Sequence, residues 1–220
     1  MKKTTVIFIC LAIALLPAAY LLYIWNSLPA VVPTHWGVSS QPDAYGSKNT
    51  LVILPAIFSG ITILIVLLIL NLDKIDPKKG KNMPPSLTNK LAISLSFFMA
   101  AISIYILYIT QNKSHQMGNF IFFLIGFLFA VLGNILYSVK QNFFIGARLP
   151  WTLSNEENWN KTNRLMSKLF FASGIIILAS SFFLPTIAMT IITLVSVLGS
   201  SIYCIVFSYL LFRKQQQISK

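Results

Sequence analysis

Residues 169–212 read LFFASGIIILASSFFLPTIAMTIITLVSVLGSSIYCIVFSYLLF, 44 residues without an Asp, Glu, Lys, Arg or His. At about 1.5 Å per residue, a single helix of that length would reach about 66 Å, roughly twice the ~30 Å hydrocarbon thickness of a bilayer. Pro185 lacks a backbone donor and, with Thr186, marks the place to turn the chain back. The stretch reads as two membrane spans joined by a tight helical hairpin.

Working outward, four more apolar runs lie at 5–25, 51–72, 91–110 and 120–139, again without Asp, Glu, Lys, Arg or His. Each holds about 20 residues, enough for one crossing. With 169–185 and 187–212 they make six. Met1-Lys2-Lys3 before the first run resembles the start of a secretion signal. The run continues through Pro17-Ala18-Ala19-Tyr20 to Trp25 with no good small-x-small cleavage site, so it is expected to remain as the first span. Composition agrees. The chain is 56% hydrophobic and 10% charged, against about 25% charged in soluble domains, too few charges to cover a water-facing surface.

Charge sets the orientation. Segments 1–4, 73–90, 140–168 and 213–220 carry fifteen of the 17 Lys and Arg residues; the other face, in 26–50 and 111–119, has Lys48 and Lys113. Basic loops stay in the cytoplasm. The expected fold class is therefore all-α: a polytopic, multi-pass cell-membrane protein with six transmembrane helices, N and C termini cytoplasmic, and a short interfacial helix before the fifth span. Two modules are expected, 1–90 with spans one and two, and 91–220 with spans three to six. The net charge of +12 lies in short segments between spans, which assigns it to membrane lipid headgroups and not to direct nucleic-acid binding. Cys10 and Cys204 sit inside apolar runs and read as buried thiols, not a disulfide.

The outer loop runs Leu28-Pro29-Ala30-Val31-Val32-Pro33-Thr34-His35-Trp36-Gly37-Val38-Ser39-Ser40-Gln41-Pro42-Asp43-Ala44-Tyr45-Gly46-Ser47-Lys48. Three prolines and two glycines exclude a long helix or a central strand. A compact, stiff loop on the membrane surface is expected, turning at Gln41-Pro42-Asp43-Ala44, with Trp25, Trp36 and Tyr45 at headgroup depth. His35, Asp43 and Lys48 either orient this loop through hydrogen bonds and an ion pair or, with Trp36, form a recognition site for something arriving from outside. A third reading is a metal site from His35, Asp43 and His115, because two His and one carboxylate can ligate a divalent ion; the spacing matches no known signature.

The third inner segment begins Lys140-Gln141-Asn142-Phe143-Phe144-Ile145-Gly146-Ala147-Arg148-Leu149-Pro150-Trp151-Thr152-Leu153-Ser154. Ser154-Asn155-Glu156-Glu157 matches a capping box, with Ser154 as N-cap. The helix after it is expected to bury Trp159, Thr162, Met166 and Leu169 and to show Asn158, Lys161 and Arg164 to water. The part before it should lie on the headgroups or plug the cytoplasmic end of the bundle. Arg148, Lys161, Arg164 and Lys168 read either as topology determinants or as a docking surface. Gly133-Asn134 reads as a helix-packing and hydrogen-bonding site.

Pro33-Thr34-His35-Trp36, Gln41-Pro42-Asp43 and Gly46-Ser47-Lys48 occur here together with Gly133-Asn134. They are followed by Asn142-Phe143-Phe144-Ile145-Gly146-Ala147-Arg148-Leu149-Pro150-Trp151-Thr152-Leu153, then Trp159, Lys161-Thr162 and Arg164. This ordered set closely resembles the SdpI family of bacterial immunity proteins. The resemblance implies a membrane protein that protects a toxin-producing cell from its own secreted sporulation-delay peptide toxin. It also implies a signal transducer that holds a winged-helix repressor at the membrane. It implies no catalytic residue and no cofactor. By sidedness, His35, Trp36, Asp43 and Lys48 are the expected toxin-facing set. Asn142, Arg148, Trp151, Thr152, Trp159 and Arg164 are the expected cytoplasmic docking or structural set.

Two other function classes compete. A membrane-embedded enzyme would need a nucleophile elbow, a zinc signature or an inward-facing acid pair, and the sequence displays none of these motifs. A transporter usually carries ionisable residues inside its spans, and these six runs carry none.

Overall fold

The structure, a computed structural model, describes residues 1–76, 83–112 and 117–218. The apolar runs form long helices: α1 (Lys3–Ile24), α2 (Ile53–Leu70), then a short α3 (Leu72–Ile75), α4 (Pro85–Gln111) and α5 (Phe120–Leu136). After a loop come a short α6 (Pro150–Ser154), α7 (Glu156–Ser180) and α8 (Thr186–Ile218). Between α1 and α2 the chain forms β1 (Val31–Trp36) and β2 (Pro42–Ser47). The fold is mostly helical, with 76% of residues in helix. The two-stranded hairpin is an addition to the helical fold that was expected. A two-stranded ribbon has only edge strands, so Pro33 and Pro42 fit where a central strand would reject them. The turn is also earlier than expected. Gly37 donates to the Gln41 carbonyl at 3.0 Å, Ser40 donates to the Gly37 carbonyl at 2.9 Å, and Ser40 takes the left-handed conformation at φ 59°.

Among the described residues four helical segments, Lys3–Ser27, Lys48–Leu70, Pro85–Gln111 and Thr186–Gln217, are long and apolar enough to cross a membrane; α5 is an apolar helix of 17 residues. Their outward faces are greasy, with Leu22 at 78%, Leu64 at 59% and Val195 at 66% exposure. Only lipid makes such a surface favourable. The chain is a multi-pass membrane protein.

Helices α1, α2 and α4 pack together, α5, α7 and α8 pack together, and α4 joins α5. Helix α1 buries Val6, Cys10, Ala14, Pro17, Leu21 and Ile24, a three-to-four-residue stripe. Helices α5 and α7 approach backbone to backbone. A Cβ on Gly126 would lie 2.6 Å from the Leu178 nitrogen, and one on Gly133 or Gly174 would strike the opposite backbone as closely. The packing half of the Gly133-Asn134 reading thus holds, while Asn134 itself is exposed.

Hydrogen bonds define two ends of the bundle. At one end Lys3 donates to Asn71 at 2.7 Å and Asn89 to the Met1 carbonyl at 3.3 Å. At the other, Gln111 donates to Ser27 at 2.8 Å, Met117 to the Ser40 carbonyl at 3.1 Å, and Asn119 to the Leu184 carbonyl at 2.6 Å. The expected reversal at Pro185-Thr186 is present, since α7 ends at Ser180 and α8 starts at Thr186. The Ser154 cap is not. Ser154 ends α6, where its hydroxyl donates to the Trp151 carbonyl, and the cap of α7 is Asn155, which accepts from the Asn158 amide at 2.9 Å. The amphipathic stretch expected as a separate interfacial helix instead runs on into the apolar part of α7 without a break, and the short α6 precedes it.

Candidate functional site

The hairpin builds a small polar constellation. His35 sits opposite Ala44, and Trp36 opposite Pro42. The register slips by one residue at Thr34 on β1 and by one at Asp43 on β2. Such bulges re-aim side chains, and here they bring His35 Nδ1 to 2.6 Å from Asp43 Oδ1. Gly37 leaves room for this carboxylate, since a Cβ there would lie 3.2 Å from Asp43 Oδ2. Against a carboxylate acceptor Nδ1 carries the hydrogen, which fixes the orientation of the ring. The pair is open to water, at 70% and 52% side-chain exposure.

Beneath β1 lies a cleft of about 470 Å³. Its walls are Pro33, Thr34, His35 and Trp36 above, and Ile53, Leu54, Ile57, Phe58 and Ile106 from α2 and α4 below. This is a mostly apolar pocket with an oriented imidazole at its wall. Lys48 is elsewhere, with Nζ 4.9 Å above the centre of the Trp25 ring. So the hairpin unites His35, Trp36 and Asp43 and separates Lys48 from them. His115, the third member of the metal reading, lies outside the described residues. Among the described residues no three His, Cys, Asp or Glu side chains gather to hold an ion.

At the opposite end, residues 140–154 fold back into a plug. Asn142 is fully buried and organises the turn: its amide donates to the Lys140 and Ile145 carbonyls at 2.8 and 2.9 Å, and its oxygen accepts from the Phe144 and Ile145 amides at 2.7 Å each. Gly146 has φ +117°, and a Cβ there would collide with Asn163 and the Trp159 ring. Asn163 accepts from the Ala147 amide at 3.1 Å. Trp159, fully buried, donates to the Val139 carbonyl at 3.2 Å. Thr152 bonds both the Ala147 and Leu149 carbonyls. Trp151 donates to the Ser208 hydroxyl at 2.9 Å and lies against Tyr209 and Phe212.

The plug divides the expected inner set. Asn142, Thr152 and Trp159 are buried and hold the segment together; Arg148 and Arg164 are exposed, and Trp151 is half-buried. Arg148 donates to the Phe143 carbonyl at 3.1 Å, and Arg164 lies 5.7 Å from the Tyr137 ring centre. Asn158 corrects the sequence reading. It does not face water; it is fully buried, donates to the Ser208 carbonyl at 3.0 Å and accepts from Thr162 at 3.0 Å. Asn163, Gly146 and Ser208 were also missed. The available signal was Asn158, Thr162 and Asn163 recurring at three-to-five-residue spacing on the face that carries Trp159. Glu157, on the surface of α7, has its carboxyl held below the ordinary value by the Lys161 hydrogen bond and charge, with Gln215 of α8 adding a smaller effect.

Comparison with known proteins fits this division. Residues 138–208, from just before the plug to the Ser208 that anchors it, match the SdpI/YfhL protein family. Residues 12–58, covering the hairpin and the adjoining parts of the helices that flank it, match a domain of unknown function, DUF1648. The chain is 28% identical over 83% of its length, and 83% of the relative's, to a Bacillus subtilis protein described as immunity protein SdpI. It is also 51% identical over 49 residues, 26% of the relative, to an uncharacterized protein of Archaeoglobus fulgidus. No solved structure matches. The resemblance to the SdpI family read from the two loops is thereby shown.

Proposed function

We propose, taking the SdpI/YfhL resemblance as premise, that this chain is a membrane immunity protein protecting its cell against a secreted antimicrobial peptide. The observation that carries this reading is the similarity to a curated immunity protein over 83% of both chains. In this reading α1, α2, α4, α5, the apolar half of α7 and α8 make six crossings with both termini cytoplasmic, as the charge split favours. A module of residues 1–90 presents the hairpin outside, and a module of residues 91–220 carries the plug inside. The toxin meets His35, Trp36 and Asp43, whose cleft is mostly apolar with an oriented imidazole, and Lys48 faces the same side. The plug contributes Arg148, Arg164 and part of Trp151 to any docked cytoplasmic winged-helix repressor; Asn142, Thr152 and Trp159 support that surface from beneath. No catalytic step is assigned.

The test is expression of the full chain in a cell sensitive to the sporulation-delay peptide. The expected result is survival at toxin levels that kill the same cell with an empty vector. Equal killing of both strains defeats the proposal.

A further inference from the structure

On the flank of the bundle, α1 and α2 leave between them an apolar groove of about 490 Å³, lined by Leu15, Ala18, Leu22 and Trp25 on one side and by Val52 and Ala56 on the other. Its floor is closed where the Ser59 hydroxyl donates to the Ala14 carbonyl at 2.6 Å. From Leu15 to Trp25 the groove follows ten residues of chain, about 15 Å. That is half of a ~30 Å hydrocarbon layer, the depth of one leaflet. Its upper end carries a cation. Lys48 Nζ stands 4.9 Å above the Trp25 ring, at the height where tryptophan and lysine meet headgroups. Among the described residues the ion pairs are His35–Asp43 and Lys161–Glu157, so Lys48 has no carboxylate partner there.

Length, apolar lining and an uncompensated cation at one end together describe one ligand chemistry. We propose that this groove holds one acyl chain of an anionic phospholipid in the leaflet on the hairpin side, with the lipid phosphate on Lys48. A phosphate bridging Lys48 and the headgroup plane fixes the lipid, while the chain fills the space between α1 and α2. The site is separate from the His35 cleft and does not depend on the immunity reading.

The test uses the full-length protein, reconstituted in nanodiscs of phosphatidylglycerol or phosphatidylcholine, released into mild detergent, and weighed intact by native mass spectrometry. Wild type should retain one phosphatidylglycerol in preference to phosphatidylcholine. Lys48→Gln should lower that retention about fivefold, the ratio that about 1 kcal/mol per lysine near a membrane surface gives, and Lys48→Arg should restore it. Ala56→Phe, which fills the groove from an exposed position, should abolish retention while its melting temperature shows the chain folded. Inorganic phosphate should not displace the lipid, because it cannot occupy the groove. Equal retention of the two lipids, unchanged retention in Lys48→Gln or Ala56→Phe, or displacement by inorganic phosphate overturns the proposal.

Discussion

Trp151 and Ser208, 57 residues apart in sequence, share a hydrogen bond of 2.9 Å between the indole nitrogen and the serine hydroxyl. It fastens α6 to α8, beside the Asn158 side chain bonded to the Ser208 carbonyl. Trp151→Phe and Ser208→Ala should each lower stability by about 1 kcal/mol, the usual net value of such a bond. Because both act on one bond, the double variant should cost less than the sum. Unfolding in detergent measures the cycle, and strict additivity contradicts the shared bond.

Asn142 satisfies two backbone amides and donates to two carbonyls from a fully buried position. Asn142→Ala strands those groups, each costing about 1–3 kcal/mol when left unpaired. A marked loss of folded protein is expected on heating. Arg148→Ala, at an exposed position, should change stability by less than about 0.5 kcal/mol. If protection then falls with Arg148→Ala but folding does not, Arg148 acts at the surface.

Glycines in the helices should respond in opposite directions. Gly133→Leu and Gly174→Leu put side chains into the backbone of the facing helix and should separate α5 from α7, with large losses of folded yield. A Cβ on Gly199 meets nothing within 4 Å, so Gly199→Ala should be neutral or stabilise α8 by up to about 1 kcal/mol. Comparison of the three melting curves decides this.

His35→Ala and Asp43→Ala should abolish protection without reducing the amount of protein in the membrane, because the pair is exposed and supports no core. Blotting of membrane fractions beside the survival assay separates the two effects. Normal protection by both variants removes the hairpin pair from the function.

Glu157 should titrate below ordinary carboxylates, and Lys161→Met should return it toward the usual value. A carboxyl depressed in the folded state supports folding at neutral pH and loses that support as pH falls through its folded value. Carbon-detected NMR of the carboxyl follows the titration.

The long apolar helices were legible because water, lipid and helix length leave little choice for a run such as 187–212. The hairpin was not, because Pro33 and Pro42 read as strand breakers and only the pairing of two edges makes them acceptable. Nor was the burial of Asn158: an amphipathic pattern counts Asn as polar, while the plug needs its amide to reach the Ser208 carbonyl of α8. An ion pair among His35, Asp43 and Lys48 was one reading of the loop, but the bulges that choose Asp43 for His35, and the Val139 carbonyl that Trp159 reaches, came only from the fold.

The glycine notches between α5 and α7 carry a mechanical consequence. Two backbones that touch through Gly126, Gly133 and Gly174 cannot slide past each other by less than a full register, because the neighbouring Cβ atoms would ride up out of the notches. They form one rod. Any tilt of that rod moves Phe122 and Ile177 near one end and Trp159 near the other together.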